Sequence, residues 1–138
     1  MKTILVPLDT SPFAEQALPL ALGLARRHGA SLRLAIVHVP MVSTLIDAVP
    51  HVDPRLDAEL RDHERGYIEK LAARLSEGGI PVTSVVLDGP VVEALEADAR
   101  ASGADLVVMS THGRGGLSRM WLGSVADGLV RRGPAPVL

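Results

Sequence analysis

The chain alternates between short aliphatic runs of strand length and longer stretches with apolar residues at helical spacing. Thr3 to Leu8 reads as a first strand and stops at Asp9-Thr10-Ser11-Pro12, where Ser11 suits a helix N-cap and Pro12 the first helical position. Phe13 to His28 has helical spacing and ends at Gly29, a helix stop. Pro19 lies inside that stretch. An interior proline costs about 3 kcal/mol, so a kink, or a start later than Pro12, is expected there. Leu32 to Val39 reads as a second strand, and Leu56 to Leu75 as a charged amphipathic helix closed by Gly78-Gly79. Between them, Pro40 to Pro54 is apolar but aperiodic, and long for a connection, as functional lids and disordered segments are. Val82 to Leu87 is a third strand, Val91 to Ala101 a third helix opened by Pro90, and Leu106 to Met109 a fourth strand. A polar glycine-rich loop from Ser110 to Gly116 leads on to a helix from about Ser124 to Arg132, and Pro136-Val137-Leu138 begins a fifth strand.

Strands separated by helices in this way predict βαβ units, an open, doubly wound parallel sheet and, because crossovers are right-handed, helices on both faces. The 138 residues suit one domain, residues 1–138, with no internal repeat. Composition agrees. Hydrophobic residues make up 47% of the chain, yet only Phe13, Tyr67 and Trp121 are aromatic, so the core is aliphatic, as buried parallel strands require. A net charge of -2 carries no basic excess, which argues against nucleic acid as a partner. The absence of cysteine excludes disulfides, thiol catalysis and Cys-ligated zinc. Met1-Lys2-Thr3 and the short run after it do not make a signal peptide, and no apolar run approaches the roughly 20 residues of a membrane helix. A soluble, cytoplasmic protein without membrane contact is expected.

In an open sheet of this kind, ligands bind beyond the carboxyl ends of the strands where strand order reverses. If the chain winds outward from strand 1 and restarts with strand 4 on its other side, the reversal lies between those two. Their exits are the most polar and turn-rich in the chain: Pro7-Leu8-Asp9-Thr10, and Met109-Ser110-Thr111-His112-Gly113-Arg114. The glycines after strand 4 let backbone N–H groups converge on an anion, and Gly123-Ser124 precedes a helix whose positive end favours a phosphate. The dipole alone is worth about 0.3–1 kcal/mol, so several amides, Arg114 or a metal, and a buried base must act together. Neither the G-x-x-x-x-G-K-[ST] loop nor a G-x-G-x-x-G after the first strand is present.

Along essentially its whole length the chain resembles the universal stress protein family. The resemblance rests on Ile4-Leu5-Val6-Pro7-Leu8-Asp9, Val37-His38-Val39, Val107-Val108-Met109-Ser110-Thr111-His112-Gly113-Arg114, Leu122-Gly123-Ser124-Val125 and Pro134-Ala135-Pro136-Val137-Leu138. Its ATP-binding branch carries G-x2-G-x9-G-[ST]. Here Gly113 is the second glycine and Gly123-Ser124 closes the motif, but Ser110 stands at the first glycine. The resemblance implies five parallel strands in the order 3-2-1-4-5, the adenine nucleotide alpha hydrolase-like arrangement. It implies ATP, with Mg²⁺ as a companion, and a homodimer through strand 5. Carried over, Asp9 and the Val39 backbone meet the adenosine, Met109, Ser110 and Gly113 lie along the ribose and α-phosphate, and Gly123, Ser124 and Val125 hold the outer phosphates.

Plainer roles stand beside these. Asp9 also suits a turn into the first helix. Ser124-x-x-Asp127 has the shape of a capping box. His112, a lone loop histidine with no nucleophile beside it, gives no catalytic site, and Arg114 is either a phosphate ligand or a solvated charge. His51-x-Asp53 offers too few ligands for a metal. His38 reads as a core strand residue, and the charges from Asp53 to Lys70 as a solvated helix face. Binding without efficient turnover is therefore expected, in a regulatory or stress-response role, with a dimerising member that binds no nucleotide as the alternative.

Overall fold

The computed structural model describes residues 1–43, 51–110 and 124–138. Its elements are β1 (Thr3–Leu8), α1 (Pro12–Glu15), α2 (Leu18–His28), β2 (Ser31–Val37), β3 (Val42–Ser43), β4 (His51–Val52), α3 (Pro54–Ser76), β5 (Val82–Leu87), α4 (Val91–Ser102), β6 (Leu106–Val107) and α5 (Ser124–Arg132). The sheet runs β5-β2-β1-β6, with every pairing parallel. Alternation along β1 and β2 sends side chains to two cores. Ile4, Val6, Leu8, Leu32, Leu34 and Ile36 meet Ala21 and Ala25 of α2 and Ile68 and Leu71 of α3 on one face. On the other face Leu5 and Ala35 meet Leu95 and Ala99 of α4 and Leu129 of α5. Helices thus cover both faces, as the alternating pattern predicts.

Pro19 costs the fold little, because the predicted long helix is two. Ser11 caps α1, its hydroxyl accepting from Ala14 N–H at 3.2 Å. The helix stops after Glu15, and α2 begins at Leu18, so Pro19 falls in a first turn whose N–H groups need no helical partner. Gly29 and Gly103 end α2 and α4 in the left-handed conformation, with φ of 62° and 63°.

Three expectations need correction. The fourth strand is Leu106–Val107 and does not reach Met109. The fifth strand is reduced to one parallel bridge, Val107 to Val137. Pro134 and Pro136 have no N–H to give a ladder; the segment is held by Val107 N–H to Pro136 O and Met109 N–H to Leu138 O, both 2.9 Å, and by Leu138 N–H to Val107 O at 2.8 Å. The five-stranded order 3-2-1-4-5 is thus present as four strands, β5-β2-β1-β6, and a bridged edge. The Pro40 to Pro54 connection contains an antiparallel pair, β3 with β4, that the pattern did not predict.

Pro7 sits in β1, a central strand, where a missing N–H normally breaks a ladder. Val108 N–H donates to Leu5 O at 2.9 Å, so Leu5 faces β6, and so by alternation does Pro7. The β1–β6 pairing covers only Ile4↔Leu106 and Leu5↔Val107. The absent donor therefore lies beyond the paired residues, at the carboxyl edge of the sheet.

Candidate functional site

Continuing the register Leu5↔Val107 sets Pro7 level with Met109 and Leu8 level with Ser110 at the carboxyl edge. Asp9 follows at once. Its Oδ1 accepts from Ser11 N–H at 2.9 Å and from the Ser11 hydroxyl. The turn role weighed for Asp9 is thus real, and it fixes where the carboxylate points. Thr10 holds φ of 64°, a left-handed conformation costly for a β-branched residue. Strain of this kind persists where surrounding contacts over-determine the backbone, and it concentrates at functional turns.

On the far side of β1, Val39 lies two residues past β2 and is 58% exposed. Met109 follows β6 with its N–H committed to Leu138 O, so its backbone donor serves the sheet edge rather than a ligand. Ser124 and Val125 open α5. The Asp127 carboxylate, weighed as half of a capping box with Ser124, accepts from Arg131 Nε at 2.9 Å through both oxygens, and this holds the Arg131 charge up. His112, Gly113, Arg114 and Gly123 lie outside the described residues, as do Trp121 and residues 44–50. The structure therefore brings the β1 and β6 exits to one edge, with Val39 beyond the next strand on the same edge.

At the same edge stands a cluster the sequence reading missed. His38, 1% exposed, sits between two carboxylates of α3, with Nδ1 2.7 Å from Glu64 Oε2 and Nε2 3.0 Å from Asp57 Oδ1. Burial pushes the imidazole pKa down, but the bonds to Glu64 and Asp57 outweigh it, leaving the pKa above the ordinary 6.5. Asp57 and Glu64 are seven residues apart, two helical turns, hence on one face. Arg61 between them pairs with Asp88 at the end of β5, and that contact holds the Asp88 carboxyl below its ordinary range. The solvated-face reading of this helix is thus corrected: Glu64 is buried because it has an imidazole to meet. Asp53, weighed as a metal ligand, is the α3 N-cap, accepting from Arg55 N–H at 2.9 Å and Leu56 N–H at 3.5 Å.

A hollow of about 230 Å³ elsewhere is lined by Glu15, Tyr67, Lys70, Leu71 and Arg74. Its carboxylate is engaged by the Tyr67 hydroxyl at 2.6 Å and by Arg74 at 3.8 Å. Burial first, then the Glu15 carboxylate, pushes the Tyr67 hydroxyl pKa up.

A parallel sheet covered by helices on both faces, with an aspartate turn at the exit of its β1 strand, defines an α/β protein of the open-sheet class. The family model described as "Universal stress protein family" matches residues 1–138, and the chain belongs to that family. A universal stress protein of Thermus aquaticus, encoded 3′ of a QAH/OAS sulfhydrylase, is 33% identical over 138 residues, covering 99% of this chain and 96% of that protein. A solved family member from Burkholderia pseudomallei is 32% identical, with a TM-score of 0.74 over 99% of this chain and 95% of its own. Another universal stress protein, solved in complex with cAMP, shares the fold at 24% identity and a TM-score of 0.63 over 99% of this chain and 94% of its own.

Proposed function

We propose that this universal stress protein binds an adenine nucleotide, ATP foremost, between the exits of β1 and β6. One observation carries the reading: the strand order reverses between β1 and β6, and at that point Pro7, Leu8 and the Asp9 turn follow one another beside Met109 and Ser110. The spacing of Gly113 and Gly123-Ser124 supplies amides for the phosphates, and a fold relative in complex with cAMP supports an adenine ligand. Asp9 and the Val39 backbone take the adenosine. His112, Gly113, Arg114, Gly123, Ser124 and Val125 take the phosphates, with Met109 and Ser110 along the ribose. Mg²⁺ arrives as the companion of the triphosphate. Hydrolysis needs a positioned water and stabilisation of transferring charge; no residue is assigned to either task, and the nucleotide serves as a signal with slow turnover at most.

The whole chain acts as one domain in the cytoplasm, in a regulatory or stress-response role, and pairs with a second copy along the Pro136–Leu138 edge. Among the described residues no helix is long and apolar enough to cross a membrane. A second reading, a dimerising member that binds no nucleotide, is favoured by Ser110 in place of glycine and by the commitment of Met109 N–H to Leu138.

MgATP at tenfold its Kd should stabilise the protein by about 1.4 kcal/mol, read as a rise in melting temperature, and mass spectrometry of the freshly purified protein should find an adenine nucleotide. Gly123→Leu should abolish the rise while leaving the unliganded protein folded. No rise at millimolar MgATP, with no retained ligand, decides for the second reading.

A further inference from the structure

His38 ties the end of β2 to the first turns of α3. Its backbone N–H donates to Leu87 O at 2.8 Å, which locks the residue to β5. Its ring reaches across to Asp57, in the first turn of α3, and to Glu64. Between these ties the chain carries Val39, Met41, Val42, Val52 and Leu56, all exposed and apolar, beside the strand exit assigned to the base.

The chemistry of the tie depends on a proton. An ionised carboxylate only accepts, so both ring nitrogens must donate to satisfy both partners, and only the imidazolium has two N–H groups. The neutral ring keeps one. Glu64 has the shorter contact and the more buried side chain, 11% exposed against 23% for Asp57, so leaving Glu64 unpaired is the dearer choice. Loss of the proton therefore releases Asp57. The charged groups facing the ring are Glu64, Asp57 and Arg61 from α3, with Asp88 following β5; Arg61 opposes the ring's charge, and its own pairing with Asp88 limits that opposition.

We propose that His38 is a positioning residue: clasped between Asp57 and Glu64, it holds the first turn of α3 against the end of β2, and deprotonation frees the Asp57 end and loosens the apolar surface beside Val39 that is offered to adenine. The nucleotide part rests on the site reading given above; the clasp itself does not. The sign follows from the raised ring pKa. The clasp is complete below about pH 6.5, where His38 is charged whether folded or not, and is lost as pH rises through the higher folded value.

The test is an NMR titration of the full chain from about pH 5 to about pH 9, across the imidazole range, following the assigned His38 ring and the amides of residues 39–43 and 51–57. The amides should move with the ring. Asp57→Asn removes one acceptor charge and supplies an N–H that can meet the neutral ring's bare nitrogen, so the ring midpoint should fall while the amide step shrinks, an uncoupling that a merely structural role would not produce. MgATP affinity should fall on the order of fivefold across the same step in the wild type, and that fall should shrink in the variant, which separates it from titration of the nucleotide's own phosphates. A ring that titrates while the amides stay still overturns the clasp, as does a ring that never changes charge. MgATP bound with pH-independent affinity while the amides follow the ring overturns the positioning role. If the amides follow the ring and no nucleotide binds at any pH, the site reading falls and the clasp stands. The wild-type titration alone decides the clasp should Asp57→Asn not fold.

Discussion

Gly133→Ala should lower stability by about 3 kcal/mol, a fall in melting temperature of roughly 10 °C for a chain of this size, with the urea m-value unchanged. Gly133 follows α5, and its N–H donates back to Leu129 O at 2.7 Å. A Cβ there would sit inside the contact distance of that same carbonyl oxygen, and a backbone atom has no rotamer by which to withdraw. Either the last turn of α5 opens or residues 134–138 lift from β6. The first disturbs Leu129, fully buried in the second core; the second exposes Ala135 and the hydrogen bonds to Val107 and Met109. Gly128→Ala is the internal control. Its Cβ would meet Val92 Cγ1 and Cγ2 at 2.8 and 2.9 Å, a side chain with some freedom to yield, so a loss of about 1 kcal/mol is expected. Gly133→Ala matching wild type in chemical denaturation would disprove the path drawn for the chain after α5.

Asp98→Ala should cost about 2–3 kcal/mol. Arg33 rises from β2 toward α4 and meets Asp98 through Nε at 2.9 Å and Nη2 at 2.6 Å. The hydrogen bond to Asp98 outweighs burial and raises the Arg33 pKa further. Deleting the acid leaves a guanidinium on the sheet face without its partner. A fully buried pair broken this way loses 3–5 kcal/mol; Arg33 is a quarter exposed, so water recovers part of that. The double replacement Arg33→Met with Asp98→Leu removes both charges and should restore most of the loss, because apolar packing between β2 and α4 rivals an ion pair drawn from water. Thermal unfolding of the two single variants and the double closes the cycle. A double variant no more stable than Asp98→Ala would show that the pair does more than answer its own charges.

The elements were largely legible because each has a local cause. Thr3–Leu8 and Val82–Leu87 are aliphatic runs that only a buried sheet accommodates, and both match the sequence reading to the residue. Pro19 announced a break, and the new helix begins one residue before it. What escaped depends on partners far along the chain. Nothing near Glu64 distinguishes it from the exposed acids of the same helix; it is buried because β2 delivers His38 beside it. His38 reads from the sequence as a core strand residue, and only the fold brings it two acids seven residues apart that favour a charged ring. Pro7 shows the same limit from the other side. It lies inside the strand that the sequence predicts, and only the pairing with β6 shows that its missing donor falls beyond the paired residues. For the site, the exits of β1 and β6 were read from turn chemistry and topology, and they do meet at one edge. The competing use of Met109 N–H was invisible, since it requires knowing that Leu138 returns to that point.

That return gives the molecule an unusual economy of distance. The oxygen that receives Met109 N–H belongs to Leu138, on the outermost rail of the sheet, while Ser110 begins the very next peptide. A tug on the rim, from a neighbour or from residues added beyond Leu138, reaches the root of the glycine loop through one amide, with no need for a relay across the core.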